Sequence, residues 1–189
     1  MKITCKNCGN SYEGQFCNEC GQKAGTGPIN FKYVLNEIGN GVFQVDKGLF
    51  YTIKELFTRP GHSIRDYLEG KRVKHFRTIS FLLITSTIYA LVAYYLDLET
   101  VVSYMVGGMV EGLTDNHNDP LTVTSNAVIF LRWLIAHPAY FALVLFPVFS
   151  LASFLAFRKS GYNYFEHLIL NAYLTGQQAI VYMIFVPIA

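Results

Sequence analysis

Four cysteines fall within the first 20 residues, as Cys5-Lys-Asn-Cys8 and Cys17-Asn-Glu-Cys20, and glycine follows each pair (Gly9, Gly21). A C-x-x-C turn aims two thiolates at one point, and glycine permits the tight backbone that such a knuckle needs. Two knuckles make a tetrahedral set of four sulfurs, which suits zinc and is also open to a rubredoxin-like iron. Only eight residues separate the pairs, fewer than is usual for a zinc ribbon. The spacing therefore predicts a miniature ribbon with Ser11–Phe16 as a small hairpin between the knuckles. A segment of about 20 residues has almost no core, so Zn2+ would supply most of its folding free energy. With all four positions taken by protein, the metal has no place for substrate, and its expected role is structural. Disulfides would need an oxidising compartment, and thioredoxin-like chemistry would need a βαβ unit that the sequence lacks.

A second set of polar residues lies near the other end. Glu166, His167, Asn171, Thr175 and Gln178 interrupt an otherwise apolar run. The last four are spaced by four, four and three, so they share one helical face. Polar groups inside a bilayer are expected to face the bundle interior or a cavity. That face is either a solute path with Glu166 at its cytosolic mouth or a set of interhelical hydrogen bonds. An enzyme using Glu166 and His167 as acid and base is disfavoured, because neighbours on a helix diverge by about 100°. Gly-x-Ser-x-Gly, His-Glu-x-x-His and a phosphate-cradling glycine loop are all missing from the sequence.

The elements that must position these residues follow from composition. Apolar residues make up 52% of the 189 and charged ones only 15%, with mean hydropathy +0.29. Ordinary soluble domains are about one-quarter charged. The net charge of +2 separates along the chain into +5 over residues 1–77, −5 over 78–127 and +2 over 128–189. Thr78–Leu96 is uncharged and long enough, at about 28 Å, to cross a bilayer. Lys71, Arg72, Lys74 and Arg77 precede it, beside His75. By the positive-inside rule they form a membrane-surface basic flank, which keeps the N-terminus cytosolic and makes nucleic-acid binding unnecessary. The acidic 97–126 segment is then the outside loop, with a weak helix at Val101–Leu113. Pro138 divides the next apolar run into a short interfacial helix, Val128–Ala136, and a second span, Pro138–Phe157, kinked at Pro147. Arg132 and His137 would approach the bundle from outside. Arg158 and Lys159 mark the return to the cytosol, and Phe165–Ala189 is the third span. The chain reaches Val186-Pro-Ile-Ala189 without a polar flank, which predicts a further helix beyond it.

Between ribbon and membrane, Gly21–Pro28 reads as a linker. Phe31, Val34, Leu35, Ile38, Val42, Val45, Leu49, Ile53 and Leu56 recur at helical spacing, and Glu37 and other polar residues fall off that face. Gly39 and Gly41 predict a break there. This stretch either lies on the inner leaflet or packs on the bundle or another subunit. Arg59-Pro60-Gly61 ends it, Ser63 is expected to cap a short new helix with Asp66 in its first turn, and Gly70 to close it.

Cys5-x-x-Cys8-Gly9…Phe16-Cys17-x-x-Cys20-Gly-Gln22-Lys23, then Thr52-x-x-Glu-Leu56-x-x-x-Pro60-Gly61, Ile64-x-x-Tyr67-x-x-Gly70-Lys71-Arg72 and Phe165-Glu166-His167-Leu168 together resemble a family of bacterial polytopic membrane proteins of unknown function that carry an N-terminal zinc ribbon. The resemblance implies a ribbon followed by several transmembrane helices, and no activity. The expected architecture is mostly α: a ribbon at 1–24, a linker and amphipathic helices at 25–77, and a transmembrane bundle at 78–189 with about three spans, near 78–96, 138–157 and 165–188. The expected role is a non-enzymatic inner-membrane adapter or assembly component whose partners are the bilayer and either a protein held by the ribbon or a second copy. The alternative is a small-solute transporter or channel.

Overall fold

In a computed structural model, residues 2–39, 48–96 and 138–185 are described, with scattered positions between 104 and 133; the side chains of 138–144 are not. The elements run β1 (Ile3–Thr4), β2 (Ser11–Tyr12), α1 (Phe31–Gly39), α2 (Gly48–Thr58), α3 (Pro60–Glu69), α4 (Thr78–Tyr95), α5 (Pro138–Ala156), a 3₁₀ turn at Arg158–Ser160, and α6 (Tyr164–Phe185). Apart from those scattered positions, the expected outside loop and the helices at 101–113 and 128–136 lie outside the described residues, as do Arg132 and His137.

Among the described residues, two helices, Thr78–Tyr95 and Tyr164–Phe185, are long and apolar enough to cross a membrane. They pack on each other over most of their length. Gly176 makes this approach possible: a Cβ there would sit 2.5 Å from Phe81 Cε1 and 3.0 Å from Thr85 Oγ1. α5 packs on the other side of α6 and continues through Pro147. It is helical over the expected second span, and its side-chain-described apolar part is Leu145–Ala156.

The short helices gather at the N-terminal ends of α4 and α6, forming a collar. The amphipathic stretch contains the described helices α1 and α2, the expected break at Gly41 lies outside the described residues, and the helix faces differ from the expectation. Val34 and Glu37 are the buried residues of α1, and Phe31, Leu35 and Ile38 are exposed. Glu37 turns inward because its carboxylate meets the first turn of α4: Oε1 accepts from the Ile79 N–H at 3.2 Å. It thereby fills an N-terminal backbone position that α4 cannot satisfy itself.

α3 begins earlier than expected. Arg59 is its N-cap and Pro60 its first residue, a position where proline's fixed φ suits the helix and its missing N–H costs nothing. Ser63 is therefore inside the helix, buried, with its hydroxyl on His75 Nε2 at 3.1 Å. Gly70 closes α3 as expected, at φ 107°. The core of the collar is Ile29, Leu56, Ile64, Tyr67, Leu68 and Phe76, continuous with Phe81, Ile169 and Tyr173 of the long helices.

Candidate metal centre

The ribbon is two copies of one turn. In the first, Cys5 N–H donates to Asn10 O at 2.8 Å and Gly9 N–H to Cys5 O at 2.9 Å; in the second, Cys17 N–H donates to Gln22 O at 2.8 Å and Gly21 N–H to Cys17 O at 2.9 Å. Gly9 and Gly21 both take positive φ, 77° and 72°, where a side chain would be strained. The strand pairing differs from the expected hairpin at 11–16. β1 pairs antiparallel with β2, Ile3 opposite Tyr12, and Phe16 bridges Lys23. Each knuckle thus lies inside its own strand pair, because the C-x-x-C-G turn is itself the chain reversal. Asn10 Nδ2 donates to Asn18 Oδ1 at 2.8 Å and pins one knuckle to the other.

This brings all four sulfurs within 4.8 Å of one another. Cys5 and Cys20 Sγ are 3.5 Å apart, Cys8 and Cys17 Sγ 3.6 Å. A tetrahedron with metal–sulfur bonds of about 2.3 Å has edges of about 3.8 Å, so the cluster has the dimensions of a four-thiolate metal site. Backbone donors favour the thiolate form. The N–H groups of Cys20 and Glu19 lower the Cys17 thiol against the opposing effect of burial. Burial also opposes ionisation of Cys20, but the Gln22 N–H, Asn7 and Cys5 outweigh it and bring that thiol down to about 6. Cys8 rises to about 12: the Asn10 N–H favours its thiolate, but burial and the neighbouring sulfurs favour the thiol. A divalent cation bound at this point would displace the thiol protons that remain.

The ribbon is not suspended on a free linker. Gln22 is buried, and its Oε1 accepts from the Arg72 N–H at 3.1 Å. Arg72 also donates from Nη2 to Gly27 O at 2.9 Å and from Nε to Tyr67 O at 3.0 Å, with its guanidinium 4.6 Å from the Tyr33 ring centre. A Cβ on Gly70 would meet Lys6 Cδ and Thr26 O, both at 3.0 Å. Farther on, Ile29 is clamped at both ends: its N–H donates to Glu166 Oε1 at 3.4 Å and its C=O accepts from Asn163 Nδ2 at 2.9 Å. The 21–29 segment is therefore a strap fixed to α3, Arg72 and α6.

The other residues singled out from the sequence separate accordingly. Of the basic flank, Arg72 is the staple just described. Lys71 pairs with Asp66 at 2.6 Å, Lys74 is exposed, and Arg77 is half-buried at the N-cap of α4. In α6, Glu166 and Asn163 form a capping box: Asn163 N–H donates to Glu166 Oε2 at 2.9 Å and Glu166 N–H to Asn163 Oδ1 at 3.0 Å. His167 is buried, with Nδ1 3.0 Å from Ser153 Oγ of α5. Asn171 Nδ2 donates to His167 O at 2.9 Å, within its own helix. Thr175 and Gln178 are exposed. The structure thus brings Glu166, His167 and Asn171 together at the N-terminal end of α6 and leaves Thr175 and Gln178 outside that group.

Several collar residues enter the sequence reading only as motif positions or not at all, with no role assigned. Thr52 Oγ1 accepts from the Phe76 N–H at 2.7 Å, and Tyr173 OH donates to Phe76 O at 2.8 Å. Tyr33 and Tyr67 share a hydrogen bond at 2.7 Å. The capping box had a local signal, Asn163-x-x-Glu166. Thr52, Tyr67 and Glu37 had none, since their partners lie tens of residues away.

Residues 46–90 match a family model described as a protein of unknown function, DUF3667. The match runs over α2, α3, the 70–77 segment and most of α4, which is the collar and the first long helix. No curated protein and no solved structure matches the chain.

Proposed function

We propose that the chain is a multi-pass protein of the bacterial inner membrane, with α4, α5 and α6 as three spans and the N-terminus in the cytosol. Its function is that of a non-enzymatic adapter or assembly component that presents a structural zinc ribbon at the membrane surface. The observation that carries this reading is the attachment of the ribbon: the thiolate cluster is stapled through Gln22, Gly27 and Gly70 to the base of the long helices, so anything held by the ribbon is held at a fixed height and orientation. Zinc fits because four protein thiolates close the site and a structural role needs no change of oxidation state.

Support for the membrane seat comes from exposure. Only 33% and 28% of the apolar windows in α4 and α6 are buried, whereas the core helix of a soluble domain buries most of its surface. Phe31, Leu35 and Ile38 add an outward apolar ridge on α1, the arrangement of a helix lying in the interface. Glu166 and His167 favour the adapter over a transporter, since the first caps a helix and clamps Ile29 and the second bonds to Ser153.

A photo-crosslinking residue at Phe16, which is 59% exposed on the ribbon, tests the reading in native membranes. One discrete adduct is expected, lost in Cys17→Ser. No adduct overturns the adapter, and labelling of Lys74→Cys from outside alone overturns the topology.

A further inference from the structure

We propose that the chain pairs with a second copy of itself through the face of α6 that carries Asn171, Leu174, Gln178, Val181 and Phe185. The pairing rests on the proposed membrane seat and uses a surface remote from the ribbon.

The two sides of α6 differ. Gly176 faces α4, where a Cβ would meet Phe81 and Thr85. Gln178 stands two positions on, about 200° round the helix, and so points away from α4. Among the described residues, the polar and ring contacts from α5 reach only the start of α6. Tyr164 OH donates to Pro147 O at 3.2 Å, Ser153 meets His167, and Phe154 lies edge-on to both Tyr164 and His167. Farther along, the face opposite α4 is open: Thr175 and Gln178 are exposed, Leu174 is 38% exposed and Phe185 64%. Among the described residues no hydrogen bond engages the Gln178 amide or the Thr175 hydroxyl. Asn171 uses Nδ2 on His167 O and keeps Oδ1 to offer.

Hydrocarbon gives a glutamine amide no partner, so such a group in a span is expected to face another helix. The chemistry of this face selects a second copy. An amide carries a donor and an acceptor at one tip, so two Gln178 side chains brought together satisfy each other. Copies inserted in the same sense are related by a twofold axis along the bilayer normal, which sets each residue of the face opposite its own counterpart at the same depth. Asn171, Leu174, Gln178, Val181 and Phe185 are spaced three, four, three and four, the repeat of a helix–helix seam. A polar residue within such a seam fixes register and the number of chains. The contact of α4 with Gly176 is left untouched on the far side.

The full chain, with a photo-crosslinking residue at Phe185, is reconstituted into phosphatidylcholine–phosphatidylglycerol vesicles at a series of protein-to-lipid ratios and irradiated. One adduct at twice the chain mass is expected, with a yield that falls on dilution in lipid as a monomer–dimer equilibrium requires. The same residue at Phe149 on α5, which is 54% exposed, should give none. Gln178→Leu should lower the apparent association constant about tenfold, while Gln178→Asn, which keeps the amide, should retain the adduct. Absence of the adduct, an equal yield from Phe149, or a Gln178→Leu variant that pairs like the parent overturns the proposal. So does an adduct from native membranes that joins Phe185 to a different protein alone. The comparison of Phe185 with Phe149 needs no change in Gln178 and decides the matter even if Gln178→Leu does not insert. A chain that fails to enter the vesicles overturns the membrane seat and the pairing together; a chain that enters and stays monomeric overturns the pairing alone.

Discussion

The ribbon and the collar are both small and joined through Arg72, yet they are held together by different physics. In the ribbon, the buried set is Cys5, Tyr12 and Cys17 with little around them, and the backbone is arranged by two repeated turns that aim four sulfurs at one point. In the collar, aliphatic and aromatic side chains pack into one continuous core, and hydrogen bonds from side chains to distant backbone groups carry the register: Thr52 and Tyr173 to Phe76, Glu37 to Ile79, Gln177 Nε2 to Leu56 O at 3.1 Å. On the proposed reading, one region depends on a single ion and the other on many modest bonds. Removal of one part should therefore collapse the ribbon and only weaken the collar.

The largest expected effect is Cys17→Ser. Structural zinc is worth about 10–16 kcal/mol of apparent binding free energy in small fingers, and no core of the ribbon's size replaces it. Zinc content should fall to zero, and residues 1–28 should become open to protease while the collar and the long helices stay protected. A ribbon that remains resistant without metal would erase the contrast between the regions.

Arg72→Lys comes next. Lysine keeps the charge but loses the fork that reaches Gly27 and Tyr67 together and the flat face over Tyr33. Hydrogen bonds to charged groups are worth about 1.5–3 kcal/mol each, so a loss of about 3 kcal/mol is expected. The strap should release with the metal retained, which hydrogen exchange at 21–29 beside an unchanged zinc content would report. Loss of zinc along with the strap would mean that the two regions form one cooperative unit.

Gly176→Ala addresses the collar's dependence on the long helices. The new methyl must displace the Phe81 ring, which also lies 5.8 Å from Tyr173, centre to centre. Overpacking of this kind costs about 1–3 kcal/mol. The thermal midpoint of the collar should fall while the ribbon's metal affinity stays constant.

These contacts also mark what could be read from the sequence. The knuckles, the two long apolar helices and the Gly70 stop are local patterns, and each fell where its spacing placed it. Arg72 reads as a flank charge because it stands just before an apolar run, but its partners are Gln22, Gly27, Tyr33 and Tyr67, none within four residues. Glu37 is polar and so sorts to the outer face of an amphipathic helix; the free N–H groups at the start of α4 draw it inward from 42 positions away. Long-range satisfaction of backbone donors leaves no periodic trace. It overrides hydropathy where a helix end is buried.

The smallest effect concerns pH and separates the two carboxylate- and imidazole-bearing walls of the collar. Burial pushes His75 below its ordinary value of 6.5, against the pull of Lys71 O. As pH falls below 6.5 the unfolded chain takes up a proton that the folded collar resists, so His75 removes stability on acidification. Glu37 is raised above its ordinary 4.5 by burial, against the N–H groups of Ile79 and Thr78. Its contribution has the opposite slope: the folded state holds the proton more tightly, and stability is lost as pH rises through and above 4.5. The two therefore oppose each other between about pH 4.5 and 6.5. His75→Gln should remove only the first. With the Glu37 slope left unopposed, its thermal midpoint should gain relative to the parent's as pH falls through that window. A variant whose profile overlays the parent's would mean that His75 is not held neutral by the collar, and that the wall between Ser63 and Lys71 is looser than its two hydrogen bonds imply.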